Sequence, residues 1–91
     1  MRPVIVVSRD AINEHSSVVV IVPVTNRDNK RRVYPSQIVL KKGDGGLTLD
    51  SVVLCEQIRA ISSSRLTKYM GQLSANQMSG VASALRVTLD L

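Results

Sequence analysis

Ninety-one residues with one cysteine and one histidine exclude an internal disulfide and a single-chain zinc site of the usual four-ligand kind. The formal net charge is +5 and uneven: residues 1–42 carry eight Lys/Arg against three Asp/Glu, and residues 43–91 four against four. A basic half points to a polyanion or an acidic partner, whereas two aromatics, Tyr34 and Tyr69, are too few for a multi-aromatic stacking platform.

In chain order, Pro3 to Ser8 is a continuous β-branched run and predicts a strand buried on both faces. Arg9 to Ser16 is polar and reads as a loop. Ser17 to Val24 predicts a second apolar strand, in which Pro23 lacks a ladder donor and marks an edge, a bulge or the strand's end; Thr25 follows at the mouth of the next loop. Asn26 to Arg32 is a basic connection. Ser36 to Lys42 predicts a short strand and Gly43-Asp44-Gly45-Gly46 a turn. Ser51 to Ile61 holds two apolar pieces around Glu56-Gln57, either one bent strand or two short ones.

Helices are expected only late. Ser63 or Ser64 can cap a short helix ending near Gly71. Ser74-Ala75-Asn76-Gln77 has the spacing of a capping box. Met78, Val81, Ala82, Leu85 and Leu89 then recur at helical spacing. The expected architecture is one domain over 1–91, mainly β, with a C-terminal helix. A chain this short buries only about 60–65% of its unfolded surface, so dimerisation is the expected way to gain buried area. No apolar stretch approaches the ~18 residues of a membrane span, and the N-terminus has no signal-peptide pattern; a cytoplasmic protein is expected.

Few residues offer chemistry. Gly43-Asp44-Gly45-Gly46 lacks the lysine and helix of a phosphate-binding loop and reads as a plain turn. Cys55, in the run Ser51-Val52-Val53-Leu54-Cys55, is either a buried free thiol or a nucleophile with His15 as its one available base. His15 itself is either incidental to its loop or catalytic. Arg2 and Thr25 end two strands that a loop would bring side by side. There they could stabilise charge developing on a phosphate, although Arg2 also reads as a frayed terminal charge. Glu56-Gln57 is either an outward-facing pair or a reader of base edges. Arg27, Lys30, Arg31 and Arg32 are either solvated or phosphate-binding.

Taken together, these pieces resemble the MazF/PemK toxins over nearly the whole length. Arg2-Pro3-Val4-Ile5-Val6-Val7-Ser8 is similar to the family's Arg-Pro strand, and Ile21-Val22-Pro23-Val24-Thr25 to the strand that ends in its threonine. The most specific block runs from Gly46-Leu47 through Asp50-Ser51-Val52-Val53-Leu54-Cys55-Glu56-Gln57-Ile58-Arg59. Ser64-Arg65-Leu66 and Gly71-Gln72-Leu73-Ser74 match the closing segments. The resemblance implies an SH3-like small β-barrel (the CcdB/MazF-type fold), a homodimer and an acidic antitoxin. It implies cleavage of single-stranded RNA, chiefly mRNA, at a short motif, by 2′-hydroxyl attack and with neither metal nor cofactor. The family's catalytic arginine and threonine fall on Arg2 and Thr25, and its RNA-contacting Glu-Gln on Glu56 and Gln57. The family pattern has a further strand and loop ahead of Arg-Pro, with a Gly-x-Val/Ile-Trp/Tyr motif. Here Met1 stands directly before Arg2-Pro3, so either a shortened form, with an exposed sheet edge and part of the groove missing, or a start assigned late is expected. The alternative function on the same fold is a non-catalytic module that binds antitoxin or acts on gyrase.

Overall fold

The β-branched run in the first quarter of the chain becomes the organising strand. In the computed structural model, which describes residues 2–29 and 32–91, β2 (Val18–Asn26) is the longest strand and serves three partners. Its first part pairs with β5 (Arg59–Ser62), Val18 opposite Ser62 through Ile21 opposite Arg59. Its middle pairs with β1 (Val4–Val6), and its end with β4 (Ser51–Leu54). β3 (Gln37–Leu40) continues the sheet beyond β4. All these pairings are antiparallel, in the order β1-β2-β4-β3 with β5 also on β2. A mainly β chain with a C-terminal helix, α2 (Ala75–Leu89), is therefore what forms.

Pro23 lies inside β2, not at an edge or end. It is opposite Val4 on the β1 side, and on the other side it falls between the last β5 partner, at Ile21, and the first β4 partner, at Val24. A residue without an N–H is tolerated where the ladder changes partner. The strand thus runs on to Asn26, and Thr25 is held in the ladder opposite Val52.

Two further expectations are corrected, and one open alternative is decided in favour of two short strands. Arg9 to Ser16 is not a loop throughout: α1 (Asp10–His15) forms there. Polar ties hold it, since Asn13 Nδ2 donates to the Ser8 carbonyl at 2.9 Å, Ser8 Oγ bonds Asn13 Oδ1, and the Val20 N–H donates to Ser8 Oγ. Such contacts outweigh the weak propensity of a six-residue segment. The apolar stretch from Ser51 resolves into two strands, with Cys55–Gln57 forming a 3-10 turn between β4 and β5. Cys55 and Glu56-Gln57 are thus turn residues. The helix expected to end near Gly71 is absent; Ser63–Arg65 makes a single 3-10 turn and residues 66–74 run without helix.

That irregular segment is set by a backbone contact that only glycine permits. A Cβ on Gly46 (φ 79°) would lie 2.0 Å from the Met70 carbonyl oxygen, and one on Gly71 would lie 2.8 Å from the Gly45 carbonyl group. The turn after β3 and the segment before α2 therefore touch main chain to main chain. α2 then starts at the expected capping box: Ser74 Oγ accepts from the Gln77 N–H at 3.1 Å and Gln77 Oε1 accepts from the Ser74 N–H at 2.8 Å. Its buried face is Val81 and Ala84, with Leu85 partly buried, whereas Leu89 is 49% exposed. The expected stripe is right at Val81 and Leu85, missed Ala84, and runs one turn too far. The core beneath is aliphatic: Val22, Val24, Leu40, Leu47, Val53, Cys55, Val81 and Ala84. No helix among the described residues is long and apolar enough to cross a membrane.

Candidate active site

The β1–β2 register decides which polar residues meet. Val4 pairs with Pro23, and the Val24 N–H donates to the Pro3 carbonyl at 3.1 Å. Continuing that alternation puts Arg2 opposite Thr25. Both line one open cleft of about 1540 Å³. Arg2 is exposed and Thr25 half-buried at the end of β2, where Asn29 Nδ2 approaches its Oγ1 at 3.4 Å. An arginine offers a planar, permanently charged fork, and a ladder-held threonine a fixed hydroxyl.

The cleft has two chemically different parts. Its apolar lining comes from β1 and from Leu40, Leu47, Leu73 and Met78. β1 pairs only with β2 among the described residues, so its outer edge carries no ladder. The polar lining of the cleft includes Arg2, Thr25, Asn26, Asn29, Gln57 and Arg59.

The remaining candidates separate. Gln57 lines the cleft. Glu56 does not: its carboxylate accepts from Gln37 Nε2 at 2.9 Å and from Ser36 Oγ at 3.5 Å, fastening the β4–β5 turn to β3. Gln37, buried, also accepts the Tyr34 N–H through Oε1. Arg27 lies in the 3-10 turn after β2, its N–H donating to the Asp50 carbonyl at 2.8 Å, and Arg32 is exposed; neither lines the cleft. Lys30 and Arg31 lie outside the described residues. His15 is exposed on α1, its Nε2 3.9 Å from Glu14, and also stands outside the cleft lining.

Cys55 is fully buried, its Sγ 3.9 Å from the Val81 carbonyl. Burial, and secondarily the Glu56 carboxylate, push its thiol up from 9.0 to about 11. A thiol held protonated behind the core is a packing residue, because the thiolate is the nucleophile.

Sequence reading missed three cations. Arg59 on β5, Arg65 in the turn after it and Lys68 in the 66–74 segment line the cleft together with Arg2, against one lining carboxylate, Asp10. They escaped notice because residues 43–91 sum to zero charge; the balancing acids Asp44, Asp50, Glu56 and Asp90 lie elsewhere than the cleft lining. Arg59 stood next to the Glu56-Gln57 break and could have been found from that spacing.

Comparison with known proteins agrees over the whole chain. A family model described as PemK-like, MazF-like toxin of type II toxin-antitoxin system matches residues 1–89. The chain is 38% identical over 95 residues to Endoribonuclease MazF9 of Mycobacterium tuberculosis, covering 99% of this chain and 79% of that protein. It is 34% identical over 91 residues to Endoribonuclease MazF of Staphylococcus saprophyticus, covering 100% and 75%. Among solved structures, a mycobacterial endoribonuclease in complex with its cognate antitoxin superposes with a TM-score of 0.85 at 28% identity, over 99% of this chain and 82% of that one.

Proposed function

We propose that this chain, which belongs to the PemK-like, MazF-like toxin family of type II toxin–antitoxin systems, cuts single-stranded RNA in the cleft, with Arg2 and Thr25 at the reacting phosphate. The endoribonuclease activity and the CcdB/MazF-type fold are those of the family. The assignment of residues rests on one observation: the β1–β2 register that sets Arg2 opposite Thr25 in a cleft that Gln57 and Arg59 also line.

The chemistry follows from those groups. The ribose 2′-hydroxyl attacks the adjacent phosphorus, and the bond to the 5′-oxygen breaks. The 2′-hydroxyl loses a proton and the departing 5′-oxygen gains one, leaving a 2′,3′-cyclic phosphate and a 5′-hydroxyl. Negative charge builds on the non-bridging oxygens during attack. The Arg2 fork and the Thr25 hydroxyl stabilise that charge from fixed positions, each such donor being worth roughly 3–4 kcal/mol at the transition state. Gln57 reads a base edge through its amide. Glu56, engaged by Gln37 and Ser36, sets the position of the turn that carries Gln57.

The protein acts as a homodimer, is neutralised by an acidic antitoxin and resides in the cytoplasm with its mRNA substrate. The test is incubation with single-stranded RNA in EDTA followed by end-group analysis. Fragments with cyclic phosphate and 5′-hydroxyl ends are expected. Intact RNA accompanied by gyrase inhibition would replace this reading with a gyrase-directed one.

A further inference from the structure

Beside the cleft lies a second, smaller pocket of about 230 Å³, lined by Asn26, Asp28, Lys42, Leu49 and Asp50. Asn26 and Leu49 line both cavities, so the two adjoin at the residue that follows Thr25. Its walls are fixed by the main chain. Asn26 Oδ1 accepts the Asp28 N–H at 3.0 Å, Asp50 Oδ1 accepts the Lys42 N–H at 2.8 Å, and the Asp50 carbonyl accepts the Arg27 N–H at 2.8 Å.

We propose that this pocket seats a guanine base of the RNA, next to the phosphate that is cut; the inference rests on the ribonuclease reading above and names a specificity element for it. Two carboxylates against one ammonium repel phosphate, so in a protein of net charge +5 this is a place for an uncharged part of the substrate. Leu49, 54% exposed, gives an apolar surface for the face of a base, a role that an aromatic would otherwise fill. Carboxylates accept hydrogen bonds only. Guanine alone among the four bases presents two adjacent donors, N1–H and N2–H, to one carboxylate, with O6 beside them as an acceptor. Adenine and cytosine set a ring-nitrogen lone pair next to their single amino group, and uracil flanks N3–H with two carbonyls. Asp50 already has one oxygen engaged by the Lys42 N–H, which leaves Asp28 for the two-point contact and the Lys42 ammonium or the Asn26 amide for O6.

Sequencing the ends produced from a randomised RNA pool tests this. Guanine should be enriched about tenfold within two nucleotides of the cut, on the scale of one bidentate base contact. Asp28→Asn, which replaces one acceptor by a donor, should abolish that enrichment while cutting continues. Cutting without guanine enrichment, or enrichment that survives Asp28→Asn, overturns the pocket assignment and leaves the ribonuclease reading intact. A second measurement is independent of cleavage. In amide-resolved NMR titration of the protein, 5′-GMP should shift Asp28 and Asp50 and 5′-AMP should not, the phosphate being common to both. Equal shifts with the two nucleotides, or none with either, also overturn the assignment.

Discussion

At the scale of single residues, the proposed chemistry and the packing chemistry fall on different side chains and respond to different substitutions. Arg2→Ala and Thr25→Val should each lower the cleavage rate by ~10²–10³, the loss expected for one transition-state donor. Both residues sit at strand ends on the cleft, outside the aliphatic core, so thermal unfolding of the variants should match the parent. His15→Ala should change the rate by less than about tenfold, since general acid–base help is worth ~10²–10⁴ and His15 stands away from the cleft lining. A His15→Ala protein as inactive as Arg2→Ala would move the reacting group to α1. Cys55 belongs to the other class. Its folded pKa, about 11, lies above the ordinary 9.0, so the folded state holds the proton more tightly. The stability this contributes is complete below about pH 9 and is lost as pH rises toward 11. Two units correspond to at most roughly 3 kcal/mol. Urea unfolding of the parent should weaken across that window more steeply than Cys55→Ala; parallel curves would mean that the buried thiol does not titrate there.

At the scale of elements, periodicity carried what one strand or helix dictates for itself and failed where two segments decide together. β2, β3 and the start of α2 were legible because β-branched runs and a Ser-x-x-Gln cap are local signals. The Arg2–Thr25 juxtaposition was legible because two successive strands, here joined through α1, pair antiparallel. The helix expected before Gly71 failed because Gly46 and Gly71 bring two backbones into contact, and nothing local in 63–71 announces a partner twenty-five residues earlier in the chain. α1 failed in the opposite sense, since Ser8 and Asn13 hold six polar residues that propensity leaves as loop. Glu56 and Gln57 looked equivalent in sequence, and only the Gln37 and Ser36 contacts divide them. The glycine contact makes its own prediction. Gly46→Ala forces a Cβ to within 2.0 Å of a carbonyl oxygen at φ 79°, with main chain on the other side that cannot swing away as a side chain would. A loss of roughly 2–4 kcal/mol is expected, read as a lower denaturant midpoint. Gly43→Ala, where nothing lies within 4 Å of the added Cβ, should lose less despite its φ of 99°. Equal losses would place the whole effect in backbone conformation and none in the contact.

At the scale of the molecule, the net charge of +5 and the cleft's charge are separate quantities. The sequence places the surplus in residues 1–42, yet three of the four cations lining the cleft come from 43–91. If Arg2, Arg59, Arg65 and Lys68 hold phosphates, the logarithm of RNA affinity should fall with the logarithm of salt at a slope near −2.8, from ~0.7 per phosphate contact on a single strand. Arg65→Ala or Lys68→Ala should each flatten the slope by ~0.7 without lowering the single-turnover rate at saturation. A slope unchanged by these variants and flattened by Arg32→Ala would return phosphate binding to the connection after β2.

The same cations bear on how the toxin is silenced. A solved relative is bound to its cognate antitoxin, and an acidic, flexible segment that orders on binding is the form of partner a cationic cleft attracts. Such a segment and RNA are both polyanions, and the lining offers them the same four cations against the single carboxylate of Asp10. Two polyanions on one set of charges repel each other besides competing for contacts. Antitoxin should therefore weaken RNA binding to the slow-cutting Thr25→Val protein, which keeps all four cations, and RNA should weaken antitoxin binding by the same factor, as linkage requires. Substituting Lys68 should reduce both affinities together. Fluorescence titrations of labelled RNA, with and without a saturating antitoxin peptide, read this factor directly. Simultaneous binding with unchanged affinities would place the antitoxin on another face, and its inhibition would then have to act through the shape of the site.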